Sequence, residues 1–179
     1  GDYEGKNENN LLKILEIKNL LIAQIIQYKN STVSIENKDI DGLELKNEPL
    51  RVVNNKDTRI LWNGPKNWLL VSTKKDLLKN ILQNLKETDF AITDLSHSRA
   101  IIEIEGKEVK EVLKKGCPYN FNNFEKNNSI NSTFNGVALT IDMINESPYK
   151  ARIFVLRSFG ESLYYSITDA SLEFGFISV

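Results

Sequence analysis

The sequence predicts an α+β fold: a ferredoxin-like split βαβ unit with antiparallel sheet, extended by extra strands and a C-terminal helix. Three observations predict it. Short β-prone runs recur along the chain, several of them alternating apolar and polar residues at the period of a strand. Two stretches between them, Leu77 to Leu85 and Val109 to Leu113, carry apolar residues at helical spacing. From Trp68 the order is strand, helix, strand, strand, helix, strand, which is the split βαβ sequence and places helices on one face of an antiparallel sheet.

Residues 1–10 are polar and contain two glycines, so they read as a flexible lead-in to a single domain over residues 11–179. Leu11 to Lys29 fits either a helix or two β-rich runs; strands at Lys13 to Ile17 and Leu21 to Tyr28, bent at Lys18-Asn19, are the favoured reading. Asn30 to Asp57 is polar with scattered aliphatics and reads as an irregular connection. RILW and WLLVS, separated by Asn63-Gly64-Pro65-Lys66, make a hairpin. Thr73 then caps a helix with Asp76 three residues on, and Leu77, Leu78, Ile81, Leu82 and Leu85 form its apolar face.

Ala100 to Glu105 alternates as a strand with one more buried face, ended by Gly106. Val109, Val112 and Leu113 start a helix that stops at Gly116 and Pro118. The Asn-rich segment from Asn120 to Thr133 reads as an exposed loop. Val137 to Met143 is a strand, and a turn containing Pro148 returns the chain into ARIFVL. Ser158 and Glu161 have the spacing of a capping box for a last helix presenting Leu163, Ile167, Ala170 and Phe174.

Composition excludes several classes. The chain has 179 residues, 41% of them hydrophobic, and its 23 basic and 24 acidic residues leave a net charge of -1, so no basic excess recruits nucleic acid. The longest apolar run, Leu20 to Ile26, is far short of the ~20 residues that span a bilayer. One Cys makes no intramolecular disulfide, which points to a reducing cytoplasm. One His and one Cys fall short of a zinc ligand set, and no Gly-x-Gly-x-x-Gly or Walker-type loop occurs. Lys107 to Lys115 interleaves Glu108 and Glu111 and reads as the solvated face of an amphipathic helix.

The remaining candidates lie in short motifs. Asp94, Ser96 and His97 contain the residue types of a hydrolase set, but groups this close on a strand and turn seldom converge on one atom; a turn network in which Asp94 and Ser96 bond backbone N–H groups is favoured. His97 reads as an orienting or packing residue, with a titrating or interface role as the alternative. Cys117 follows Lys114 and Lys115, cations that lower a thiol's pKa, yet it reads more simply as a small buried residue. Trp62 and Trp68 flank one hairpin as core residues or as interface anchors. Arg157 has two possible partners, Asp94 or an acidic group on another protein.

Asn63-Gly64-Pro65-Lys66-Asn67-Trp68-Leu69, Thr93-Asp94-Leu95-Ser96-His97-Ser98-Arg99, Lys115-Gly116-Cys117-Pro118 and Arg157-Ser158-Phe159 occur in that order. Together they resemble the gamma subunits of heterotetrameric sarcosine oxidase over about two thirds of the chain. That family is similar in turn to the folate-binding domain of aminomethyltransferases. The resemblance implies an accessory, non-catalytic subunit that works with larger alpha, beta and delta subunits. Their complex demethylates sarcosine oxidatively to glycine, passes the one-carbon unit to tetrahydrofolate and makes hydrogen peroxide. FAD, FMN, NAD and tetrahydrofolate are then expected on the other subunits, with no catalytic, cofactor or metal residue on this chain. Trp62, Trp68, Asp94, Ser96, His97, Arg99, Cys117, Arg157 and Phe159 become the structural or interface set. Asn120 stands where the aminomethyltransferases carry an acid, and an amide is no carboxylate base. The alternative is an autonomous folate-binding protein or aminomethyl transferase; a scaffold for an unrelated protein is a third reading.

Overall fold

The computed structural model describes residues 11–179, and the expected lead-in at residues 1–10 lies outside them. Asn19, at φ 63°, turns the chain between strand β1 (Leu12–Ile17) and strand β2 (Leu21–Gln27), and the two enter different sheets. Two compact units result. The first contains residues 11–18, Arg99–Lys126 and Ile130–Val179, and the second Asn19–Ser98 and Asn127–Ser129.

In the second unit, β2 is followed by β3 (Asp39–Ile40), β4 (Leu43–Glu44), β5 (Val52–Asn54), β6 (Thr58–Gly64), β7 (Asn67–Ser72), helix α1 (Leu77–Asn84) and β8 (Phe90–Asp94). The sheet order is β5-β6-β7-β2-β8. Strands β7 and β8 both run antiparallel to β2, so β7-α1-β8 straddles it as a split βαβ. Leu77, Ile81 and Leu85 repeat every four residues and close over Ala23, Ile25, Trp68, Leu70 and Phe90. Leu82 falls off that narrow stripe and is 56% exposed, contrary to the expected apolar face. The expected Thr73 cap does not form either, because Thr73 Oγ1 donates to Asp57 Oδ1 at 3.2 Å and Asp76 occupies the N-cap position.

The stretch expected to be irregular contains three short strands. Asp41 and Gly42, at φ 55° and 77°, fold β3 onto β4 as a two-residue hairpin, and β5 becomes the edge partner of β6.

The first unit adds β9 (Arg99–Glu105), helix α2 (Val109–Gly116), β10 (Ser129–Phe134, whose first residue belongs to the second unit), β11 (Val137–Glu146), β12 (Tyr149–Leu156), helix α3 (Gly160–Ser171) and β13 (Phe176–Ser178). Its sheet order is β10-β11-β12-β9-β1-β13, antiparallel except where β13 joins β1 in parallel. The second strand-helix-strand of the expected unit therefore builds a sheet separate from that of the first. Strand β9 is central, and Ile101, Ile102, Glu103 and Ile104 are all buried rather than one face of them.

Two local expectations fail here. Phe121 and Phe124, in the segment expected to be exposed, are fully buried in a T-shaped cluster with Tyr119. The Ser158 and Glu161 box is replaced by a 3-10 turn, Arg157–Phe159, that runs straight into α3 with Phe159 at its N-cap. Among the described residues no helix is long and apolar enough to cross a membrane.

Candidate functional site

The turn leaving β8 is held from both sides. Asp94 Oδ1 accepts the Ser96 N–H at 2.9 Å and the Ser96 hydroxyl at 2.6 Å, while Ser96 Oγ accepts the Ile22 N–H at 2.9 Å. The Ser96 hydroxyl, its backbone N–H and the nearby His97 hold the Asp94 carboxyl below the usual carboxylate range. A serine whose hydroxyl donates to that carboxylate and accepts a strand amide is a tie between β8 and β2, and the hydrolase arrangement has no geometric support. His97 projects into solvent, and Arg99 begins β9 in the other unit, opposite Leu156.

Trp62 and Trp68 face each other across the β6-β7 hairpin. Trp68 is fully buried with its Nε1 donating to the Lys46 carbonyl at 2.9 Å. Trp62 is half-buried, and its Nε1 donates at 3.1 Å to Asn47 Oδ1, which also accepts the Lys66 N–H at 2.9 Å. Both indoles thus clamp the segment after β4 onto the hairpin.

Cys117 closes α2, its N–H donating to the Leu113 carbonyl at 2.9 Å. Burial pushes the thiol up to about 11, offset in part by a hydrogen bond involving Ser132. The neighbouring lysines do not activate it: Lys114 pairs with Glu111 at 3.0 Å, and Lys115 binds the Ala170 carbonyl and Glu173. A protonated thiol in an apolar setting is a poor nucleophile. Asn120 is engaged as well, with Oδ1 accepting the Asn122 N–H at 3.0 Å to cap the turn that inserts Phe121.

Arg157 and Phe159 lie on the 3-10 turn before α3, and both are exposed. Arg157 borders a cleft of about 400 Å³ in the first unit, between β9 and α3, with Glu16, Glu161 and Tyr164 on its walls and Ala100 and Ile102 at its base. Gly160 allows this close approach, since a Cβ there stands 3.0 Å from that of Ala100. The named residues therefore form separate places: the Asp94-Ser96 turn and tryptophan hairpin in the second unit, and Cys117 and the Arg157 turn in the first.

Sequence reasoning missed a polar cluster around Asp41. Lys74 Nζ reaches Asp41 Oδ1 at 2.6 Å, Thr58 Oγ1 reaches Oδ2 at 2.6 Å, and Asn55 donates to both the side chain and the carbonyl. The signal was Asp41-Gly42, a strong hairpin dipeptide inside a stretch whose polarity resembles a loop. Among the described residues no group of three or more His, Cys, Asp or Glu is placed to hold a metal ion.

Comparison with known proteins adds relatives. A model described as "Sarcosine oxidase, gamma subunit family" matches residues 30–173. The sarcosine oxidase subunit gamma of Corynebacterium sp. (strain U-96) is 29% identical over 120 residues, which is 65% of this chain and 58% of that protein. The chain thus matches little more than half the length of that relative. A chain in the structure of heterotetrameric sarcosine oxidase from Corynebacterium sp. U-96 superposes with a TM-score of 0.83 at 24% identity, covering 94% of this chain and 87% of that one. The glycine cleavage system aminomethyltransferase T from Bartonella henselae superposes with a TM-score of 0.69 at 12% identity, covering 95% of this chain and 48% of that one. Both likenesses are of fold.

Proposed function

Because the chain belongs to the sarcosine oxidase gamma subunit family, we propose that it is the accessory gamma subunit of a heterotetrameric sarcosine oxidase and works with larger alpha, beta and delta subunits. In this reading the complex oxidises sarcosine to glycine, passes the one-carbon unit to tetrahydrofolate and reduces oxygen to hydrogen peroxide. FAD, FMN, NAD and tetrahydrofolate reside on the partners. The family match over residues 30–173 carries the proposal. The chemistry of this chain supports an accessory role: Asp94 and Ser96 bind each other, Cys117 is protonated, and the Asn120 amide caps a turn.

Co-expression of tagged chain with the larger subunits, followed by pull-down and a sarcosine-dependent peroxide assay, tests it. A yellow, active complex whose assembly fails without this chain is expected. Failure of the chain to enter any such complex refutes the proposal.

The aminomethyltransferase-like fold favours one second reading, an autonomous folate-binding protein or aminomethyl transferase. Titration calorimetry of the isolated chain with tetrahydrofolate separates the two, and binding in the micromolar range would favour the second. The amide at Asn120 weighs against transfer chemistry on this chain, because it supplies no carboxylate base.

A further inference from the structure

Two side chains of opposite charge line the cleft between β9 and α3 without pairing. Arg157 and Glu161 stand where the 3-10 turn enters α3, both are exposed, and neither forms an ion pair among the described residues. Opposite charges at a spacing of i and i+4 on a helix ordinarily meet. Glu16 borders the same cleft, and its ion pair with Lys18, at 3.8 Å, is long and open to solvent, an arrangement that contributes little. A guanidinium and two carboxylates are thus left to water around one opening.

Contacts that do not involve these charges fix the walls. Glu16 and Ile102 lie directly opposite each other in the pairing of β1 with β9, so both rise from one face of the sheet. Gly160 seats the start of α3 on that face, since a Cβ there would stand 3.0 Å from that of Ala100. One turn further on, the Tyr164 hydroxyl shares a hydrogen bond with Ser178 Oγ of β13, and the Val179 N–H donates to the Ile14 carbonyl at 3.1 Å, which ties that edge to β1. The space of about 400 Å³ therefore exists before anything enters it, and a preformed site loses little affinity to ordering. Ala100 and Ile102 give it an apolar base.

We infer that this cleft binds a free amino acid with an apolar side chain, its carboxylate on Arg157, its ammonium group between Glu161 and Glu16, and its side chain over Ala100 and Ile102. A guanidinium takes a carboxylate through two parallel hydrogen bonds, and carboxylates, which only accept, take the three donors of an ammonium group. A purely anionic ligand would meet two carboxylates, and a purely cationic one would meet Arg157. Glycine would leave the apolar base uncovered. The inference goes beyond the subunit reading and does not depend on it, because every group of the cleft belongs to the first unit of this chain.

Titration of the full, isotope-labelled chain with L-leucine, followed through its amide NMR signals, tests the site. The amides of Ala100, Arg157, Gly160 and Glu161 should move together, with an affinity in the millimolar range. Isocaproate keeps the side chain and lacks the ammonium group, isopentylamine lacks the carboxylate, and glycine lacks the side chain; each should bind at least about tenfold more weakly. Arg157→Gln and the double variant Glu16→Gln, Glu161→Gln should each weaken L-leucine at least about tenfold, while Asp169→Asn, which removes a charge elsewhere on α3, leaves its affinity unchanged. All four positions are exposed, so the variants are expected to melt with the parent. The ligand series is read on the parent chain and decides the matter even where a variant folds poorly. Cleft amides that stay still across the millimolar range overturn the inference. Isocaproate or isopentylamine that binds as tightly as L-leucine overturns it too, as does full affinity in both the arginine and the glutamate variants. None of these results bears on assembly with larger subunits, so the subunit proposal fails only by its own pull-down.

Discussion

The carboxylate of Asp41 accepts from Lys74, Thr58 and Asn55, and these bonds hold its pKa down to about 2 against an ordinary 3.8, with the Lys74 hydrogen bond the largest cause. A depressed carboxylate pKa contributes stability that is fully present above the unfolded value and lost as pH falls through the folded one. Asp41→Asn keeps a residue tolerant of φ 55° but removes the charge. We expect it to destabilise the chain at pH 7 by on the order of 1 kcal/mol, since the 44% exposed Lys74 is partly screened by solvent. The gap between variant and parent should narrow below about pH 4 and close near pH 2. Urea titrations of both proteins across that range measure it, and a constant gap would show that the ion pair is not the cause. At Cys117 the expectation is inertness: burial raises the thiol to about 11, so a disulfide reagent at pH 8 should label it only as the protein unfolds.

Helix α2 ends against β10 with no space to spare. A Cβ at Gly116 stands 2.7 Å from three atoms of the Phe134 ring, and Phe134 is itself 1% exposed. Gly116→Ala gains at most about 1 kcal/mol of helix propensity, whereas forcing a methyl into a packed core costs about 1–3 kcal/mol. The packing effect wins, and thermal unfolding should register a lower melting temperature. Phe134 was not legible as a partner, because the Asn-rich composition before it reads as solvent-exposed loop while Phe121 and Phe124 are in fact core residues. The elements with their own local signal were legible. The tryptophan hairpin, the α1 stripe at Leu77, Ile81 and Leu85, and β11 were all evident from period and turn residues. What sequence could not carry was the assignment of strands to sheets, since β1 and β2 are neighbours in sequence with like composition and only the left-handed turn at Asn19 separates them. Capping likewise went to competitors: Thr73 found Asp57, and the chain entering α3 took a 3-10 turn before the Ser158 box could form.

At the scale of the molecule, the chain passes between its two units four times, and the last excursion consists of only Asn127, Asn128 and Ser129. Those three residues strap the edge of the second sheet. Val52 donates to the Asn127 carbonyl at 3.0 Å, Ser129 donates to the Leu50 carbonyl at 3.0 Å, Arg51 bridges to Asn128, and Arg59 reaches Asn127 Oδ1 at 3.2 Å. Asn127 sits at φ 63°, a conformation that glycine accepts freely and alanine does not. Asn127→Ala should therefore cost about 1 kcal/mol or slightly more, and Asn127→Gly less. The composition supplies a separate probe for each unit. Both tryptophans lie in the second and the sole cysteine in the first, so indole fluorescence follows one and Cys117 labelling the other. In sequence, the strap is flanked on both sides by residues of the first unit. Denaturant midpoints from fluorescence and labelling should coincide, and Asn127→Ala should lower both equally. A shift in fluorescence alone would mean that the second unit opens by itself.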